Sequence, residues 1–292
     1  MRVLERQVEV EPRVSLATWT IDGRPQVDGG ATPGATFLLV HGLASNARLW
    51  DYTALELARL GHLVSAVDLR GHGESDKPDH GYDFPTLTSD IVKVSSSLAL
   101  DRPILAGQSL GANLVLETAW LHPEISRGIV CVDGGTIELS RTFPDWEDAA
   151  TVLSPPPLAG TKRDVIVKMM REGHRNWPES GIESSMANFA VEADGTVAPK
   201  LSRENHMKIL RGLWEHKPST RFATLEVPAL LVFAGAHGSG PFDKLESARR
   251  AEETIPKVRV VWFEDADHDI HAQYPVELAD LLDRQGADGF FG

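Results

Sequence analysis

Ser109 stands in the hexapeptide Ala106-Gly107-Gln108-Ser109-Leu110-Gly111, with one glycine two residues before it and another two residues after. A short apolar run, Pro103-Ile104-Leu105, precedes it and a helical pattern from Ala112 to Glu117 follows. This spacing predicts strand, tight turn and helix, with the serine hydroxyl exposed at the strand end, the pattern of a nucleophile elbow. The glycines are expected to let the chain turn sharply there. A serine hydroxyl is a poor nucleophile until a neighbouring base takes its proton, so the chemistry implied is covalent catalysis with a partner elsewhere in the chain. The backbone N–H of Leu110 opens the following helix, where first-turn amides lack an internal partner, and it is available to a developing oxyanion.

Composition narrows what such a site serves. The chain has 292 residues, 42% of them hydrophobic and 24% charged, enough for one large core or a core with an insertion. Twenty-nine basic against 42 acidic residues leave a formal charge of -13, which repels nucleic acid and anionic lipid. The opening residues Met1 to Gln7 are charged, and no apolar run approaches a membrane span, so the expectation is a cytoplasmic protein with neither membrane nor nucleic-acid partner. The single cysteine, Cys131, lies inside the apolar run Gly128 to Val132 and is expected to fill core space.

The elements that must position Ser109 follow from periodicity. Val3 to Val10 and Val14 to Ile21 alternate in polarity and predict two antiparallel edge strands. Phe37-Leu38-Leu39-Val40, Leu63 to Val67, Gly128 to Val132, Val227 to Ala234 and Val258 to Phe263 read as further strands. Between them lie helical patterns: one whose apolar face is Leu49, Tyr52, Leu55, Leu57 and Leu60, others at 84–100 and 243–253, and a closing one at 276–282. Such alternation predicts an α/β fold with a mostly parallel sheet and helices on both faces. His41-Gly42, Asp68, Ser109 and Asp133 then fall together at the carboxyl ends of strands, where such sheets bind ligands. From 136 to 226 the alternation lapses into helices, Pro-rich turns and a hairpin around Asp194-Gly195, which reads as an inserted cap between core segments 1–135 and 227–292. Trp146, Met170 and Trp214 in it are candidate substrate contacts, because Met and Trp make an adaptable apolar pocket.

Taken in order, these residues resemble the α/β-hydrolase superfamily. His41-Gly42 after one strand, Asp68-x-Arg70-Gly71-His72-Gly73-x-Ser75 after the next, Gly107-Gln108-Ser109-Leu110-Gly111 after the third and His268 after the last arrive in family order. The resemblance covers nearly the whole chain apart from the insertion. It implies Ser109 as nucleophile, His268 as base, and an oxyanion hole from the Leu43 and Leu110 amides. His271 is the rival to His268, while Asp68 and Arg70 are expected to pin their own loop. The acid departs from the common pattern. Many members carry it as Gly-x-x-Asp after the strand that ends here at Ala234, but Gly235-Ala236-His237-Gly238 puts Gly there. Some relatives, haloalkane dehalogenases among them, place it after the strand that follows the elbow helix, which in this chain is Asp133. Asp243, Asp265 and Asp267 are the alternatives.

A serine rather than an aspartate nucleophile argues against dehalogenase and epoxide hydrolase chemistry. The expectation is a cofactor-independent, metal-free hydrolase acting through an acyl-enzyme on a small apolar or aromatic ester, thioester or lactone. Hydrolysis of a C–C bond or perhydrolysis would use the same triad. A slow or non-catalytic small-molecule receptor is the alternative outside enzymes. Oligomeric state has no signal in the sequence.

Overall fold

Strand residues that are apolar without alternation must be covered on both sides, and the central strands are. The computed structural model describes residues 3–25, 34–235 and 243–292. Its sheet has eight strands: β1 (Val3–Glu11), β2 (Val14–Asp22), β3 (Thr36–Val40), β4 (Leu63–Val67), β5 (Ile104–Gln108), β6 (Gly128–Val132), β9 (Ala229–Ala234) and β10 (Val258–Phe263). A separate hairpin joins β7 (Phe189–Val191) and β8 (Val197–Pro199) around Gly195 (φ 79°), where the sequence predicts one. The strand order in the main sheet is β1-β2-β4-β3-β5-β6-β9-β10; β1 and β2 are antiparallel and β2 is antiparallel to β4, while the remaining neighbours are parallel. The expected mostly parallel sheet is therefore present. Only β1 is an edge strand at that end, however, because β2 is enclosed between β1 and β4.

Helices cover both faces. On one face Leu38 and Val40 of β3, Leu105 of β5 and Cys131 of β6 pack with α2 (Phe84–Ser97), α3 (Leu110–Leu121) and α9 (Lys244–Thr254). On the other, Phe37 and Leu39, Ala106 and Val130 pack with α1 (Asp51–Arg59) and α11 (Pro275–Ala287), beside the short α10 (Ile270–Gln273). Odd and even residues of each strand thus enter different cores, and Cys131 fills space in the first. Between β6 and β9 come α4 (Leu139–Thr142), α5 (Trp146–Val152), α6 (Arg163–Gly173), α7 (Glu179–Ser185), the hairpin and α8 (Arg203–Glu215). No helix among the described residues is long and apolar enough to cross a membrane.

Two local expectations are corrected. The face read from Leu49, Tyr52, Leu55, Leu57 and Leu60 is correct only in part: Leu49 and Leu57 are buried, but Tyr52 and Leu60 are exposed and Trp50, Thr53, Ala54 and Ala58 turn inward. Residues 47–50 form a 3-10 turn, which advances side chains faster than an α-helix and resets the phase at Asp51. The helix read as 84–100 stops at Ser97, since Ala99 takes a positive φ of 50°. Its start is a true cap, Asp83 accepting from the Thr86 N–H.

The loop after β4 is pinned as expected. Asp68 accepts from the Ala47 and Glu74 amides. Arg70, wholly buried, forks onto Asp90 with two 3.0 Å bonds and reaches Glu11 at 2.8 Å. Burial disfavours the guanidinium, yet these carboxylates more than compensate and raise its pKa. Arg70→Met should therefore strand the equally buried Asp90 and lower unfolding free energy by about 3–5 kcal/mol. A urea midpoint unchanged at pH 7 would refute this role.

Candidate active site

The turn at Ser109 explains its glycines differently from the sequence reading. Neither Gly107 nor Gly111 has a positive φ; the strained residue is Ser109 itself, at φ 54° and ψ -117°. The glycines are there for room. A Cβ on Gly107 would lie 2.2 Å from the Gly111 carbonyl oxygen, and one on Gly111 would lie 2.3 Å from that of Val40. Strand, elbow and helix close on one another only with hydrogen at both positions. The Ser109 amide donates to the Val132 carbonyl at 3.0 Å, which ties the elbow to the end of β6.

Sheet order then assembles the rest. β5, β6, β9 and β10 are consecutive neighbours, so the residues that follow them, Ser109, Asp133, Gly235 and the loop containing His268, share one edge. His268 Nδ1 lies 2.6 Å from Asp133 Oδ2, and the Gln108 amide donates to the His268 carbonyl at 3.3 Å. An ionised carboxylate can only accept, so Nδ1 carries the proton of this bond and Nε2 is left with its lone pair. Asp133, like Ser109, has a positive φ (44°), held by its amide bonding to the Val232 carbonyl at 2.7 Å.

The carboxylate is fully engaged. Its side chain is 1% exposed; Oδ1 accepts from the Ala234 amide at 3.0 Å, and Oδ2 from the Lys244 ammonium at 2.8 Å as well as from His268. Burial alone would push this carboxyl up, but the His268 bond and charge, joined by Lys244, outweigh it and hold Asp133 below its ordinary value. The His268 side chain is 51% exposed. Desolvation opposes its protonation, while the Asp133 bond and the Asp269 and Asp133 charges prevail and raise its pKa. Such an imidazole can take a proton from a hydroxyl and return it to a leaving group.

The alternatives are placed elsewhere. Asp243 is the N-cap of α9, its carboxylate accepting from the Glu246 amide at 2.9 Å. Asp267 accepts from the indole of Trp177 at 3.2 Å, and Asp265 is exposed. From Ala236 to Phe242, including His237, the loop after β9 lies outside the described residues. His271 is wholly buried against Trp50, ring centroids 4.4 Å apart, and neither ring nitrogen has a hydrogen-bond partner among the described residues.

That burial carries a prediction. Desolvation, helped by the neighbouring His268 and His41, pushes His271 down to about 3. The unfolded chain takes up this proton near pH 6.5, so stability is lost as pH falls from there toward 3. The full span is worth about 5 kcal/mol at ~1.4 kcal/mol per unit. His271→Phe should flatten the loss of urea midpoint between pH 7 and 4; an unaltered slope would refute it.

On the oxyanion side, Leu110 opens α3. The turn bearing Leu43 lies directly against the elbow, since a Cβ on Gly42 would fall 3.1 Å from that of Ser109. His41 braces this turn: Nε2 accepts from the Leu69 amide and Nδ1 contacts the Gly42 carbonyl. The three candidate substrate contacts do not converge. Trp146 and Trp214 stand edge to face at 6.0 Å with Arg211 over both, and Trp214 donates to the Phe143 carbonyl. Met170 packs instead with Leu49, Trp177 and Ala272. Trp177, one of the three tryptophans between β6 and β9 that an apolar pocket would draw on, donates to Asp267 of the His268 loop. The sequence reading gives no role to Gln108 or Lys244, although Gln108 is within the elbow motif.

The model of the Alpha/beta hydrolase family matches residues 37–281. An AB hydrolase superfamily protein of Bacillus subtilis, YisY, is 37% identical over 249 residues, 80% of this chain and 85% of that protein. The 2-(acetamidomethylene)succinate hydrolase of Mesorhizobium japonicum is 28% identical over 276 residues, 91% of each. A solved structure of E-2-(acetamidomethylene)succinate hydrolase superposes with a TM-score of 0.76 at 22% identity, over 97% of this chain and 98% of the other.

Proposed function

This chain belongs to the alpha/beta hydrolase family, and we propose that it is a serine hydrolase cleaving a carboxylic ester, thioester or lactone through an acyl-enzyme on Ser109. The observation that carries this reading is the 2.6 Å contact between His268 Nδ1 and Asp133, on the sheet edge where the elbow presents Ser109. His268 Nε2 accepts the Ser109 proton as Oγ attacks the carbonyl carbon. The oxyanion is met by the Leu43 and Leu110 amides, and the imidazolium, steadied by Asp133, protonates the leaving oxygen or sulfur. A water molecule, deprotonated by the same imidazole, then attacks the acyl-enzyme and releases the acid. Every role in this cycle is supplied by the chain, so it needs no metal or cofactor. The segment from 136 to 226 caps the site, and the substrate is a small apolar or aromatic molecule.

A second reading is hydrolysis of an acyl amide. It draws on the Mesorhizobium relative, named for an acetamido substrate and aligned over 91% of this chain. The same residues serve, with His268 protonating a leaving nitrogen.

Stopped-flow release of p-nitrophenol from short acyl esters tests the proposal. An acyl-enzyme mechanism is expected to give a burst equal to the enzyme concentration and then continued turnover. A single turnover without a steady state would identify a receptor, and no burst with any ester but turnover of an acetamido acid would favour the second reading.

A further inference from the structure

Lys244 contacts the proposed acid, and nothing in its own element accounts for its place. It is the first residue of α9, directly after the cap Asp243. A cation in the first turn opposes the helix dipole, which favours acidic residues there. Its ammonium turns toward the sheet, donating to Asp133 Oδ2 at 2.8 Å and to the carbonyl of Ala234 at 2.9 Å. The same Oδ2 accepts from His268 Nδ1 at 2.6 Å, so lysine and histidine share one carboxylate oxygen.

We propose that Lys244 is a positioning residue that fixes the Asp133 carboxylate and opposes protonation of the resting His268, enlarging the proton-accepting share of that imidazole. The proposal rests on the catalytic reading of Ser109, Asp133 and His268.

Two effects act in one direction. A carboxylate oxygen shared with an ammonium has less negative potential to give the imidazolium. The lysine charge also stands beside the imidazole and disfavours a second cation. With Lys244 present, protonating His268 converts a neutral Asp133–Lys244 pair plus imidazole into a site of net charge +1; without it, the same proton merely neutralises Asp133. The other groups facing His268 are Asp269 of its own loop and His271 on α10; Asp269 in turn faces Asp267 and His174, which lie 3.8 Å apart. Asp269 and Asp133 favour the imidazolium, leaving Lys244 as the cation set against it on the Asp133 side.

The acid placed after β6 gives this lysine its meaning. Asp133 sits at the end of β6 beside the end of β9, where 1% exposure leaves its charge no solvent. Ala234 and Lys244, from the end of that neighbouring strand and the helix beyond it, supply the donors that water cannot.

The test uses Lys244→Gln, which keeps a donor without the charge, Lys244→Met, which removes both, and Lys244→Arg, which restores the charge. Two readouts are followed across pH 5–9: kcat/KM on a p-nitrophenyl ester, and the NMR titration of the His268 ring in a Ser109→Ala background. Loss of the charge is expected to raise the His268 titration by about half a unit to one unit in both readouts. Lys244→Arg should return it toward the wild-type value. A His268 titration unmoved in the Gln and Met variants overturns the proposal, as does a shift that arginine fails to reverse. Because the NMR readout needs no turnover, an absence of esterase activity would overturn the ester-cleaving reading while the His268 titration still decided the role of Lys244.

Discussion

Ser109→Ala is expected to remove ester turnover by about four to six orders of magnitude while leaving the folded structure in place. Only Oγ is deleted, and alanine occupies the same strained backbone as serine. The base and acid remain but have no hydroxyl to activate, so the residual rate is that of water attack assisted by the oxyanion amides. Ser109→Gly should be equally inactive yet more stable than wild type by about 1 kcal/mol, because φ 54° with ψ -117° is costly for any residue with a Cβ. Activity near the wild-type level in either variant would dismiss Ser109 as nucleophile. Inactivity with an unchanged melting temperature in the glycine variant would dismiss the stored strain and keep the mechanism.

Asp133→Asn is expected to lower kcat by roughly 10⁴ at neutral pH. The oxygen that receives the Nδ1 proton is replaced in part by an NH₂ group, which itself donates. His268 is then driven to the tautomer with its proton on Nε2, where it cannot accept from Ser109. The half-buried Lys244 ammonium also loses its carboxylate, so some destabilisation accompanies the loss of rate. Asp243→Ala provides the contrast: it removes the α9 cap at a cost of about 1 kcal/mol and should leave kcat within a few-fold of wild type. The opposite pattern, with Asp243→Ala inactive and Asp133→Asn active, would put the acid on the loop after β9.

The pH dependence has a defined sign. His268 acts as a base only when neutral, so kcat/KM should fall as pH drops through its raised pKa. Asp133, held low by His268 and Lys244, stays ionised across that range and adds no second limb there. For stability the two groups act at opposite ends. The Asp133 contribution is present above its unfolded value near 4 and is lost as pH falls through its lower folded one. The His268 contribution is full below about 6.5 and fades as pH rises through its raised folded value.

Local spacing carried the elbow, the strand run and the hairpin at Gly195, because each depends on residues a few positions apart. Where local rules competed, they were less reliable: the 3-10 turn at 47–50 shifted the inward face of α1 by part of a turn, so Tyr52 and Leu60 point outward. The glycines of the elbow were recognised for the wrong reason, since conformational freedom and steric room leave the same letter in a sequence. The missing Gly-x-x-Asp favoured Asp133 but left Asp243 open, as both follow apolar strands at the same sheet edge.

By itself, then, the sequence determined the alternation of strands and helices, the turn that exposes Ser109, and a late histidine on the same edge, all properties of short windows and their order. The tertiary structure decided which carboxylate meets that histidine, that Lys244 shares it, and that Trp177 of the insertion touches its loop. Those contacts join residues 133, 177, 244 and 267–268, and they exist because β6, β9 and β10 lie side by side. Strand order is a global outcome of packing two apolar cores at once, and no window of the chain contains it.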